Sequence, residues 1–307
     1  MSNKPNPRPR FGLGLGGLAA VGAAIYLVVY RVGVQAGTPD SAVLVVLLSA
    51  AVWSTLATLL QERSVRVFHQ NWISWSLAAA IAVLTLLGNV FATLALELIS
   101  APVTGVFQQT QVLFVPLLAF IFLRERLSLL FWLGVAIAVI GLLTMRLGPA
   151  TSIELNAEGT ALATLSAFSF AVMMVIMKRI IHQIHPVAFN ATRLWLSVLL
   201  WFLWRQRWPS PEQFPPVLLW CGIAAGFVGP VFARLCVTYS LLHIPAGLAT
   251  LMGLLTPVLS ILPSYWVFGS YPSSLEVAGG ALMTLGIALP VGSKLRAGPS
   301  TETRSRS

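Results

Sequence analysis

The sequence predicts an all-α membrane protein: ten transmembrane helices arranged as two inverted five-helix repeats. Three observations lead there. The chain holds ten continuous apolar stretches of near bilayer length, its basic residues gather in alternate loops, and its second half repeats the first after an odd number of passes. Of 307 residues, 57% are hydrophobic and 9% charged. A helix of about 20 mostly apolar residues crosses the hydrocarbon core, and a water-soluble domain could not cover ten such runs with so few charges. The runs lack the period-two alternation that marks the strands of a transmembrane β-barrel.

The spans follow in order. A basic tail, 1–10, precedes the first, 11–30. That run is longer than the core of a cleavable signal and nine more follow it, so it is expected to be retained. The second covers 41–60 and the third 72–96. Glu97 and Pro102 separate the third from the fourth, 101–123, proline being suited to the first turn of a new helix. The fifth, 128–147, completes the first repeat, 11–147, and 148–158 links it to the second repeat, 159–293. There the spans are 159–178, 187–204, 215–241, 245–268 and 274–293, with Pro186 and Pro245 opening the seventh and ninth. A second basic tail, 294–307, follows.

Charge sets the expected orientation. With both tails in the cytoplasm, the inside positions hold Lys4, Arg8, Arg10, Arg63, Arg66, Arg124, Arg126, Lys178, Arg179, Lys294, Arg296, Arg304 and Arg306; the outside holds Arg31, Arg146, Arg205 and Arg207. This is the positive-inside bias. The net charge of +10 therefore meets lipid headgroups in short loops, and no nucleic-acid partner is expected. Cys221 and Cys236 lie in one helix, about 22 Å apart at 1.5 Å per residue, too far for an intrachain disulfide.

The repeat runs at an offset of 145 residues. Gly134 and Gly141 fall on Gly279 and Gly286, Thr93 on Thr238, Ser128 on Ser273, Ile99 on Ile244 and Ala101 on Ala246. Five helices per copy put the second copy into the bilayer from the opposite side. Transporters use such inverted repeats, with the solute site near the midplane between the halves; a purely structural duplication is the alternative.

The text around the matched positions adds a resemblance. Phe120-Ile121-Phe122-Leu123-Arg124-Glu125-Arg126-Leu127-Ser128 is followed by Gly134 and Gly141; Trp266-Val267-Phe268-Gly269-Ser270-Tyr271-Pro272-Ser273 is followed by Gly279, Gly280 and Gly286. In pattern this resembles the drug/metabolite transporter superfamily, in particular its EamA-type bacterial members. Arg124 stands where that pattern usually has glycine, and Ser270 where it usually has an acid. The resemblance implies two five-helix halves in a bacterial inner membrane and transport of a small molecule, export before uptake.

Polar residues inside spans are costly in lipid and should face the bundle interior or a wet cavity. Thr104, Gln108 and Gln111 share a face of the fourth span, and their repeat counterparts are Ala249, Gly253 and Thr256. They read as a cavity wall, or else as interhelical glue. Thr85, Asn89 and Thr93 form a second stripe, matched by Pro230, Arg234 and Thr238. Arg234 keeps its charge at ordinary pH; it either receives an anionic group, or is held structurally, or snorkels. Asn190, Arg193 and Ser197 form a third stripe in which Arg193, near a span end, is expected to snorkel. The candidate substrate-binding set is therefore Asn89, Gln108, Gln111, Arg234, Thr104 and Thr256.

No catalytic or nucleotide-binding signature appears, and His182 and His185 lack a third metal ligand nearby. The chain is not expected to be an enzyme or to hold a cofactor or metal. No acid falls mid-span, Glu97 being the nearest, so facilitated diffusion or exchange is expected before proton coupling. The expected partners are the bilayer and a small polar organic solute, carried by alternating access, with a homodimer as an open alternative to the monomer. The rival reading is a non-transporting membrane scaffold or partner subunit.

Overall fold

The computed structural model describes residues 8–62, 72–99, 101–125, 127–146, 156–206, 210–269 and 271–296. These form helices α1 (Pro9–Ala36), α2 (Pro39–Glu62), α3 (Trp72–Leu98), α4 (Ala101–Gln109), α5 (Gln111–Leu123), α6 (Leu129–Arg146), α7 (Ala157–Ile180), α8 (Pro186–Arg205), α9 (Pro216–Gly226), α10 (Arg234–Ser240), α11 (Ala246–Gly253), α12 (Leu255–Leu259), α13 (Ile261–Phe268) and α14 (Ser274–Arg296). A π-helical segment, Phe227–Ala233, joins α9 to α10. Nine stretches among the described residues are long and apolar enough to cross a membrane, counting α4–α5, α9–α10 and α11–α13 as one stretch each; a shorter apolar helix, Leu129–Met145, lies within α6. Large apolar side chains such as Phe120, Phe122, Leu129, Trp220 and Trp266 are exposed on the outside, far more apolar surface than a water-soluble chain presents. The protein is a multi-pass membrane protein.

Consecutive passes run alternately between two ends of the bundle. At one end the backbone N–H of Arg8 donates to His243 Nδ1, and Lys178 Nζ pairs with Glu125 at 3.7 Å. At the other, Arg205 pairs with Asp40, and Arg31 lies over the Phe268 ring, 4.7 Å from its centroid. We call these the Lys178 end and the Asp40 end. His243, in the turn after α10, has a pKa below the ordinary histidine value because burial and the nearby charges of Arg8, Lys178 and His182 oppose its protonation.

Helix starts and stops follow local chemistry. The side chain of Asn156 accepts from the N–H groups of Glu158 and Gly159 and caps α7. Ser273 and Glu276 exchange hydrogen bonds of 2.8 and 3.2 Å in a capping box for α14. Ser128, the counterpart of Ser273, accepts from the N–H of Phe131 at the start of α6. Buried hydroxyls inside the bundle bond to the preceding turn, Thr85 to the Ile81 carbonyl and Thr192 to the Ala188 carbonyl among them. This satisfies them where no water is at hand.

The matched turns after α5 and α13 end alike. Gly269 has φ 64° and Arg124 has φ 55°, both left-handed. Only glycine takes this conformation without a Cβ penalty. Arg124→Gly should therefore stabilise the protein by about 0.5–1 kcal/mol, the residual after glycine's greater freedom in the unfolded chain. A thermal melt in detergent checks this; an unchanged or lower midpoint would show that the Arg124 side chain offsets its backbone strain.

The core at the back of the bundle is a backbone-to-backbone crossing. α6 packs along α14 through Gly134, Gly141, Gly279 and Gly286. A Cβ at Gly141 would lie 2.5 Å from the Met283 nitrogen, and one at Gly279 would lie 2.5 Å from the Gly141 carbonyl oxygen. Small residues at such crossings let helices gain van der Waals contact in a medium that offers no hydrophobic drive between them.

Candidate functional site

With α6 and α14 at the back, the other passes surround a cavity of about 420 Å³ in the middle of the bundle. Its wall draws on α1, α2, α3, α5, α7, α8, the π-helical segment, α10, α11 and α12. That volume lies within the range of small-molecule sites. On α1 the lining runs from Gly16 to Tyr30, about 21 Å of helix.

The π-helical segment shapes one wall. Pro230 has no N–H to give, so regular α-helical bonding fails there and the turn widens. The Pro230 carbonyl instead accepts from Asn190 Nδ2 at 3.1 Å. Gly229 is required at this turn because a Cβ would collide with the ring of Tyr26. Tyr26 and Tyr30 stack at 5.4 Å between centroids with 15° between planes, and both line the cavity. Arg234 follows the widened turn and faces the cavity.

Asn190 organises the adjoining wall. Its Nδ2 also donates to Ser54 Oγ at 2.9 Å, and its Oδ1 accepts from Arg193 Nη2 at 2.7 Å. It thereby ties α2, α8 and the π-helical segment together and fixes the Arg193 guanidinium. Arg193 is 3% exposed, lines the cavity, and leaves its Nε without a hydrogen-bond partner. It does not snorkel: its side chain stays buried inside the bundle, where Asn190 one turn back offers a carbonyl oxygen. The two guanidinium groups are close enough for Arg234 to oppose the charge on Arg193. Among the described residues neither arginine has a carboxylate partner, and no acid or histidine lines the cavity.

The remaining expected residues divide. Asn89, Gln111 and Thr256 line the cavity with Arg234; Gln108 and Thr104 do not. Thr104 is buried among packed helices and Gln108 is half-buried. The division falls at a turn in the fourth pass. α4 stops at Gln109 and α5 restarts at Gln111, with Thr110 bonding back to the Phe107 carbonyl. Gln111 lies beyond that turn and borders the cavity, whereas Thr104 and Gln108 lie before it and do not. Asn89 Nδ2 donates to the Thr85 carbonyl at 2.7 Å, and Thr85 Oγ1 lies 3.4 Å from Met173 Sδ. The side chain of Thr93 lies outside the described residues, as does that of Glu97. Trp53 packs edge-on against Phe227, and Trp195 Nε1 donates to Thr55 Oγ1 at 3.0 Å; neither lines the cavity.

The sequence reading missed Arg193, Ser197, Tyr30, Phe170, Met173 and Met174 as lining residues. For Arg193 a signal existed: Asn190 and Ser197 share its face, and a cation reaching for the interface needs no polar neighbour on either side.

At the Lys178 end a knot of polar contacts links three segments. Lys178 Nζ donates to the carbonyls of Leu241 and Ile244, the latter at 2.8 Å. Glu125 accepts from the Ala246 N–H at 3.0 Å, placing a carboxylate at the start of α11 where the helix dipole favours it. The Glu125 of the repeated turn thus joins α5, α7 and the α10–α11 turn.

A polytopic helical bundle around a solute-sized cavity, largely apolar with a few polar and cationic groups, is the architecture of a membrane transporter. The chain belongs to the EamA-like transporter family, of the drug/metabolite transporter superfamily, whose sequence profile matches residues 10–147 and 157–291. It is 26% identical over 217 residues to the uncharacterized transporter YdfC of Bacillus subtilis (strain 168), covering 68% of this chain and 69% of that one. A solved crystal structure superposes with a TM-score of 0.77 at 19% identity, over 95% of this chain and 99% of the other, a likeness of fold. Members of the family are transporters rather than enzymes.

Proposed function

We propose that the protein moves a small polar organic solute across a bacterial inner membrane, outward before inward, by alternating access around the central cavity. In this reading the chain is two inverted five-helix repeats, 11–147 and 159–293, joined by 148–158, with both basic tails, 1–10 and 294–307, in the cytoplasm. Matched contacts support the inversion. Gly12 of α1 sits under Ile244 at the Lys178 end, and Gly159 of α7 sits under Ile99 at the Asp40 end. The same pairing thus occurs at opposite faces. Asn89 and Arg234, and likewise Gln111 and Thr256, are repeat counterparts that both reach the cavity.

The observation that carries the reading is this convergence of polar residues from both halves on one mid-bundle cavity. A scaffold would gain nothing from leaving it unfilled, since packed interiors hold few voids. A cavity without lining acids or histidines among the described residues favours facilitated diffusion or exchange. Reconstitution into proteoliposomes tests this. Solute flux should run down its own gradient with no imposed pH gradient. Strict dependence on the pH gradient would refute the uncoupled version, and absence of flux across amino acids, sugars and organic acids would favour a scaffold or partner subunit.

A further inference from the structure

Arg193 and Arg234 form a cationic pair that the transporter reading alone does not explain. Each guanidinium is permanently charged, and an uncompensated charge this deep costs several kcal/mol. Their mutual repulsion adds to that cost. Neither has a carboxylate partner among the described residues, and the buried Nε of Arg193 has no partner at all. Arg193 is nevertheless held in place, through Asn190, by Ser54 and the Pro230 carbonyl. A fixed, buried donor aimed into a cavity is a preorganised anion site.

We propose that the cavity binds an organic oxyanion carrying two negative charges, a dicarboxylate or a phosphomonoester, with Arg193 and Arg234 dividing its charge. This rests on the transporter reading above and names its solute class. One negative charge would leave the pair half compensated; two neutralise it. The lining acids that would recognise an ammonium group are lacking among the described residues, so a cation, or the ammonium end of a zwitterion, finds no counter-charge. Gln111 supplies an amide toward the same space, while Ala20, Ala23, Val43 and Phe170 accept a carbon skeleton.

The test uses the full chain purified in detergent and a charge series on one skeleton: succinate, its half-amide succinamate, and succinamide. Glycerol 3-phosphate against glycerol forms the phosphate arm. Ligand-induced thermal stabilisation gives the affinities. In at least one arm the dianion should bind about tenfold or more tightly than its less charged partner, the ordinary yield of one added charge-assisted contact. Arg193→Gln and Arg234→Gln should each bring that ratio close to one, and Arg→Lys should retain part of it. The series on the unaltered chain stands even where a variant fails to fold. Stabilisation by neutral or zwitterionic solutes alone would overturn the charge assignment and leave the transporter reading standing. No stabilisation by either dianion would also overturn it, and labelling of cavity cysteines would then show whether the wider reading falls as well.

Discussion

Alanine at Gly286 is expected to prevent stable folding, whereas alanine at Gly280, on the same helix, is expected to be silent. A Cβ at Gly286 would lie 2.5 Å from the Ala138 nitrogen and 2.6 Å from the Gly134 carbonyl oxygen. Both are backbone atoms of α6 and cannot rotate aside. The helices would have to separate, and with them the neighbouring contact of Gly141 against Gly279 and Met283. Overpacking of a close core costs about 1–3 kcal/mol, and here one methyl group opens an interface about three helical turns long, from Gly134 to Met145 on α6. A loss of about 3 kcal/mol or more is therefore expected. A Cβ at Gly280 meets only the Val258 methyl groups at 3.5 and 3.6 Å, ordinary contact distances. Its alanine variant should stay within about 0.5 kcal/mol of the parent. Thermal unfolding of the two variants, followed by size-exclusion chromatography in detergent, decides. Equal melting points would contradict the described crossing of α6 and α14.

The same four glycines show how far the sequence could be read. Their recurrence at one offset announced a repeated packing surface, and apolar length announced the passes, because both are properties of a single helix and its solvent. The matched serines before α6 and α14 both cap their helices. The amide row was legible only as a face of one unbroken helix. A turn at Thr110 divides it: Gln111, beyond the turn, borders the cavity, and Gln108 and Thr104, before it, do not. Likewise, composition does not reveal that Pro230 widens a helix into a π-turn, or that its own carbonyl recruits Asn190. Arg193 was misread because distance from a span end was weighed above the polar residues beside it. What escaped the sequence were relations between helices, which periodicity along one helix cannot contain.

The second large effect is on access of water. Transport through the bundle requires a wet crevice at its middle, reached by Asn89, Gln111 and Thr256 but not by Thr104. A thiol reacts as thiolate, which forms readily only where water solvates it. Cysteine placed in the cavity should therefore react about tenfold or more faster than cysteine buried between helices. The native Cys221 and Cys236 are both free and must first be replaced. On that background, single cysteines at 89, 104, 111 and 256 are exposed, in intact membranes, to a charged, water-soluble thiol reagent. The prediction is rapid labelling at 89, 111 and 256 and negligible labelling at 104, where the native side chain is 2% exposed. Uniform protection of all four positions, or labelling at 104 as fast as at 111, would contradict a solute pathway through the centre of this bundle.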